Sequence, residues 1–356
     1  MREGSKRSPR AAQEWRRRAA RIRRALPDLL WGGPPPKRPK PAFRVVAEGR
    51  AFTRWETGRL REMKRRYPED LRTYKEILPF SWPGPVTWTT RLIEYPGWPG
   101  HPPQRAILRI PHGARRAPAL TVLHGHSRGL QLGCVEMAYL AVPLAAIGCV
   151  TLAPDAMPFG DRRLHTLDEG EVASKGQLFW DERVVASECW LRGETLLGRQ
   201  IWELMVSLDL LQSLPETDPK RLGTIGCSQG GVQSWWLSAM DSRIAAAVVS
   251  AGVSTYASWI EERAINALFN YVPGILKLAD QDELIGLIAP RPLLVCDCAK
   301  DVFFPRAGIE RVRCFLRRVY RWENASKNYR HDLDPGGHGF PKRQRDLAMD
   351  WLREKL

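Results

Sequence analysis

The run Arg221-Leu-Gly-Thr-Ile-Gly-Cys-Ser-Gln-Gly-Gly231 constrains the fold of this chain more than any other stretch. Within it, Gly226-Cys227-Ser228-Gln229-Gly230 fits G-x-S-x-G, the spelling of a strand that ends in a sharp turn and opens a helix. Leu222 to Ile225 are mostly apolar and partly β-branched, as a short buried strand requires, and Val232 to Met240 read as a helix. A glycine two residues to either side of the serine is what the turn needs where strand and helix backbones pass too close for a Cβ. A Gly-rich turn with an idle serine would be spelled the same way, so the surrounding pattern has to decide between the two.

From about residue 85, strand-like and helix-like segments alternate. Eight strand candidates cover 86–95, 105–110, 119–123, 148–152, 222–226, 244–250, 293–298 and 328–333, with helical patterns at about 129–146, 196–214, 230–240, 254–288, 305–318 and 341–355. This order predicts an α/β fold, a mostly parallel eight-stranded sheet with helices on both faces and its first strands as an antiparallel edge. Residues 1–84 read as a basic helical extension with a stiff linker at Gly32-Gly-Pro-Pro-Pro-Lys-Arg-Pro-Lys-Pro41, and residues 85–356 as the catalytic domain.

In such sheets reactive groups collect beyond the carboxyl ends of the strands. Asp301 follows the strand Leu293-Leu-Val-Cys-Asp-Cys298, and His338 sits in the loop Asp334-Pro-Gly-Gly-His-Gly-Phe-Pro341 after the last strand candidate. Ser228, Asp301 and His338 therefore form a nucleophile, acid and base set in that chain order. A serine hydroxyl is a poor nucleophile at neutral pH, so the imidazole must take its proton while the carboxylate fixes the ring's tautomer. Asp297 and His331 are the rivals for acid and base, but both fall inside strands.

A third loop, His124-Gly-His-Ser-Arg-Gly129, follows the strand 119–123. The charge of a tetrahedral intermediate needs two preorganised N–H donors, and the backbone N–H groups of Gln229 and His126 are the natural pair, with Ser127 second to His126. His124 is expected to order this loop by hydrogen bonding. A metal reading of His124 and His126 lacks a third ligand, and Cys296 and Cys298 read as core thiols.

The chain's net charge of +16 is uneven: residues 1–44 hold 14 Lys/Arg against 3 acidic residues and account for +11 of it. Such an arm could meet nucleic acid or an anionic membrane. Trp15, Ala19, Ile22, Leu26 and Leu29 recur at helical spacing, however, and this favours a helix docked by its apolar face. Seven cysteines without regular spacing and no apolar leader point to reduced thiols in the cytoplasm. Phe179, Trp180 and Trp190, between the fourth strand and the next helix, are candidate pocket walls.

The loop His124–Gly129, the segment Ala153-Pro-Asp-Ala-Met-Pro-Phe-Gly-Asp-Arg162, the turn Gly226–Gly231, and Asp301-Val-Phe-Phe-Pro305 with His338-Gly339 together resemble the α/β-hydrolase superfamily. The nearest branch is that of bacterial acetyl xylan esterases and dienelactone-hydrolase-like proteins. The segments Asn270–Gly274 and Ile288–Pro292 share the likeness, which runs from about residue 100 to the end. The resemblance implies Ser228 as nucleophile, Asp301 as acid, His338 as base, and oxyanion donors at His126 and Gln229. It also implies a small acetyl-type carboxylic ester as substrate, cleaved through an acyl-enzyme with no cofactor and no metal. Two positions depart from the branch: His126 stands where related esterases often carry an aromatic residue or glycine, and Met157-Pro158 where they usually carry Arg-Gly. Peptidase, lactone hydrolase and acyl transferase chemistry use the same three groups, and a non-catalytic binding protein acting through the basic N-terminus is the reading from outside enzymes.

Overall fold

The structure, a computed structural model, describes residues 9–51, 54, 58, 86–126, 138–162, 175–264 and 266–356. The sequence-predicted helix 129–146 and the residues Ser127, Arg128 and Gly129 lie partly or wholly outside this set.

In chain order the elements are α1 (Pro9–Trp31), β1 (Arg44–Glu48), β2 (Trp88–Tyr95), β3 (Gln104–Pro111), β4 (Ala117–Leu123), α2 (Ala138–Ala146), β5 (Val150–Pro154), α3 (Lys175–Leu191), α4 (Leu196–Ser213), β6 (Thr217–Cys227) and α5 (Gln229–Met240). They continue as β7 (Ile244–Ser250), α6 (Tyr256–Glu261), α7 (Gln281–Gly286), β8 (Leu293–Cys298), α8 (Arg306–Trp322), β9 (Tyr329–Asp334) and α9 (Lys342–Lys355). One sheet runs β1-β2-β3-β5-β4-β6-β7-β8-β9. The pairs among β1, β2, β3 and β5 are antiparallel, and every pair from β5 through β9 is parallel.

Two expectations are corrected. The sheet has nine strands rather than eight, because Arg44–Glu48 adds an edge strand against β2. The predicted helix 254–288 is broken into α6, two 3-10 turns and α7. Gly274, at φ +78, turns the chain between them. Asp280 then accepts hydrogen bonds from the N–H groups of Tyr256, Ala257 and Gln281, capping both short helices at once.

The period-2 alternation of strands divides the core. Ala119, Leu123, Ala247, Val249, Leu293 and Val295 face α1, α4, α5, α7 and α8. Their neighbours Leu120, Val122, Ala246, Val248, Leu294 and Cys296 face α2 and α9, where Leu140, Leu144, Trp351 and Leu352 cover them.

The basic first helix is docked. Trp15, Ala19, Ile22, Leu26 and Leu30 are buried at helical spacing, while Leu29 is only half-buried. At its end, the Leu30 carbonyl accepts from both the backbone N–H and the hydroxyl of Thr195, which caps α4. Its arginines are partly spent inside the molecule, Arg16 on Glu323 and Arg18 on Glu283. The proline run then wraps α4, where Trp202 Nε1 donates to the Pro36 carbonyl at 2.8 Å. Among the described residues no helix is long and apolar enough to cross a membrane.

Candidate active site

The turn between β6 and α5 is built by close backbone approach. A Cβ on Gly226 would lie 2.3 Å from the Gly230 carbonyl oxygen, and one on Gly230 would lie 2.0 Å from that of Leu123. No side chain fits either place. The serine between them has φ 58 and ψ −119, a conformation that L-residues rarely adopt, and the Ser228 N–H donates to the Ser250 carbonyl at 2.9 Å. This strained turn holds Oγ up at the start of α5, above the carboxyl end of the sheet.

Two other strand ends bring their loops to it. His338, after β9, has Nε2 3.0 Å from Ser228 Oγ and Nδ1 2.7 Å from Asp301 Oδ2. Asp301, after β8, spends its other oxygen on the N–H groups of Phe303 at 2.8 Å and Phe304 at 3.2 Å. The carboxylate is thus buried and held in place, while the imidazole stays partly open to the cleft. Phe304 stacks parallel to the His338 ring with centroids 6.0 Å apart, and Phe303 meets it edge-on at 4.9 Å. The rivals meet each other instead of Ser228. His331 Nε2 is 2.9 Å from Asp297 Oδ2, both side chains are buried, and Tyr329 Oη lies 3.0 Å from His331 Nδ1.

The loop after β4 crosses close to the serine, such that a Cβ on Gly125 would come 3.3 Å from Ser228 Cβ. His124 ties this loop to the end of β5. Its Nε2 accepts the Ala156 N–H at 3.0 Å, so Nδ1 carries the proton and donates to the Gly125 carbonyl at 2.8 Å. Burial lowers its pKa to about 4, and the ring is neutral at physiological pH. His126 follows, its ring edge-on to Phe159 and tilted on Phe269, with centroids 5.2 Å away in each case. The N–H of Gln229 lies in the first turn of α5, among the helix donors that have no intrahelical acceptor.

One residue of this neighbourhood was not singled out from sequence. Glu182 of α3 is buried, its Oε2 2.5 Å from His126 Nε2 and its Oε1 accepting the Phe269 N–H at 3.1 Å. The available signal was its register. Glu182, Val185, Ala186 and Cys189 form the buried stripe of α3, so an acid occupies a core position. The candidate walls fare differently: Trp180 is exposed, Trp190 is half-buried, and Phe179 lies among side chains outside the described set.

Arg162 closes the segment Ala153–Arg162 from within, where its guanidinium makes two 2.6 Å bonds to Glu203 in a fully buried pair. Cys296 and Cys298 are buried and free, and burial raises the Cys298 thiol to about 11. Among the described residues no three His, Cys, Asp or Glu side chains gather as metal ligands do.

No family model matches the chain. Putative hydrolase YtaP of Bacillus subtilis (strain 168) is 30% identical over 250 residues, covering 67% of this chain and 79% of YtaP. A glucuronoyl esterase from Solibacter usitatus superposes with a TM-score of 0.62 at 14% identity, over 97% of this chain and 94% of that one. Acetyl Xylan Esterase 1 from Thermoanaerobacterium sp. JW/SL YS485 does so with a TM-score of 0.52 at 18% identity, over 80% of this chain and 93% of that one. At these identities the two solved structures speak for the fold.

Proposed function

We infer that this chain, which belongs to the α/β-hydrolase superfamily and to the family of YtaP, hydrolyses a small carboxylic ester through an acyl-enzyme. The observation that carries this reading is the unbroken line of hydrogen bonds from Ser228 Oγ through His338 to Asp301.

In this mechanism Ser228 Oγ attacks the ester carbonyl carbon as its proton passes to His338 Nε2. The Nδ1–H stays bonded to Asp301, which stabilises the imidazolium without taking its proton. Negative charge on the former carbonyl oxygen meets the backbone N–H groups of Gln229 and His126, the first reinforced by the positive end of α5. Collapse breaks the ester C–O bond, and the leaving oxygen departs as the alcohol with the proton from His338. Water then attacks the acyl-serine, giving its proton to the same nitrogen, and a second collapse frees the carboxylic acid and returns the proton to Ser228.

Residues 85–356 carry this chemistry, and the basic N-terminal segment is assigned a bracing role by its docked apolar face. The acetyl-ester class is favoured by the solved structures of the same fold that are named acetyl xylan esterases. The free thiols of the described cysteines support a reducing compartment, the cytoplasm.

The test is labelling with a fluorophosphonate and mapping the adduct, paired with turnover of p-nitrophenyl acetate. An adduct on Ser228 and loss of both signals in Ser228→Ala are expected. Turnover by the wild-type chain with Ser228 unlabelled would overturn the assignment.

A further inference from the structure

A second gathering of polar groups stands at the β9 edge of the sheet, beside the start of that strand rather than beyond its end. Arg317 and Arg321 of α8, Ser326 of the connecting turn, and Tyr329, Arg330 and His331 line a cavity of about 320 Å³. None of them touches Ser228, Asp301 or His338.

Two of the charges here, those of Arg317 and Arg321, are uncompensated. Elsewhere on α8, Arg306 and Arg313 are matched to Glu310 and Arg311 to Glu261, and Arg318 lies over the Phe315 ring. Glu323, at the end of the helix, is committed to Arg16 of α1. Among the described residues, the side chains of Arg317 and Arg321 make no hydrogen bond or ion pair, whereas Arg330, in register with Leu294, belongs to the face of β9 that carries Asp332, whose carboxylate feels its charge. Two guanidiniums one helical turn apart in one concavity repel each other, and the repulsion is stronger over an aromatic floor than in open water.

That floor is rigid. Tyr329 stacks on Tyr320 with centroids 5.1 Å apart, and Tyr320 is anchored by donating its hydroxyl proton to the Arg291 carbonyl at 2.7 Å. Beneath it the His331 side chain is 1% exposed and spans Tyr329 Oη and Asp297 Oδ2, so neither ring can turn away. The same contacts leave Asp297 facing His331 and unable to serve as counterion to the arginines.

We propose that this cavity binds a small molecule through a multiply charged phosphoryl group. Planar guanidiniums offer paired donors that match phosphate oxygens, and a carboxylate ligand would neutralise less of the charge per oxygen. The volume falls at the lower end of small-ligand sites, so there is room for more than one phosphoryl group. The site is independent of ester cleavage and requires no turnover to be seen.

The experiment is calorimetric titration of the full chain with inorganic pyrophosphate, then inorganic phosphate and sulfate, at fixed ionic strength. One saturable site for pyrophosphate is expected, with phosphate and sulfate weaker. Arg317→Ala and Arg321→Ala should each weaken it by about tenfold, the loss of one charge-assisted contact. Arg17→Ala, on the exposed face of α1 and outside the cavity, should bind like wild type. Thermal melts of the same proteins would show that each variant is folded. Absence of saturable heat up to about 10 mM, a level at which any useful contact would register, would overturn the proposal. Equal weakening by Arg17→Ala would do the same, because it would mean diffuse attraction to a basic surface.

Discussion

Glu182 Oε2 stands 2.5 Å from His126 Nε2, and the same carboxylate accepts the Phe269 N–H. A buried acid thus fixes the residue whose backbone N–H is assigned to the oxyanion. Glu182→Gln keeps the shape but weakens the clamp, and it is expected to lower kcat by about tenfold with KM within about twofold, a fraction of what a lost donor costs. Steady-state kinetics on p-nitrophenyl acetate separate the two constants. A change confined to KM would make Glu182 a recognition residue instead.

The backbone of Ser228, at φ 58, is held where glycine is at ease. Both Ser228→Ala and Ser228→Gly should lose roughly 10³-fold or more in kcat, since the nucleophile is gone. They should differ in stability, with the glycine variant more stable than the alanine variant by about 1 kcal/mol because only alanine keeps the strain. Melting temperatures measured side by side decide this, and equal values would count against strain in the turn.

Asp301 and Asp297 should respond to the same substitution in opposite ways. Asp301→Asn disturbs the tautomer of His338 and is expected to cost roughly 10³-fold in kcat or more. Asp297→Asn, next to buried His331, should leave kcat within a few-fold and lower stability by about 2 kcal/mol, the price of a weakened buried pair. If Asp297→Asn were the inactive protein, the acid would have to be reassigned.

His124 supplies an acid-sensitive element. Burial depresses its folded-state pKa to about 4, below the 6.5 of an unperturbed histidine. The unfolded chain therefore binds the extra proton first, so the stability this group contributes is complete above about pH 6.5 and is lost as pH falls towards 4. The whole span corresponds to about 3 kcal/mol. His124→Gln should flatten the denaturation-midpoint profile between pH 6.5 and 4, and an unchanged slope would assign the acid sensitivity to another group.

The meeting of Ser228, Asp301 and His338 was legible because each follows a strand whose apolar spelling is plain, and the turn glycines are forced by backbone contact. The strand Arg44–Glu48 was not legible. It is five residues long, charged at both ends and paired on one side only, so it lacks the signature of a core strand. The helical pattern over 254–288 misled for another reason: its apolar residues pack at helical spacing in pieces, and Asp280 interrupts it by capping across a distance in sequence. Glu182 was hidden because its partner, His126, is 56 residues away.

The first helix rests on parts of the molecule that are made late. Arg16 closes on Glu323, Arg18 on Glu283, and Trp31 donates to the Gly198 carbonyl. Its tryptophans and leucines are therefore covered by surfaces that lie far along the chain, and they stay sticky and unshielded until those surfaces form. The helix is thus among the last parts of the fold to be secured.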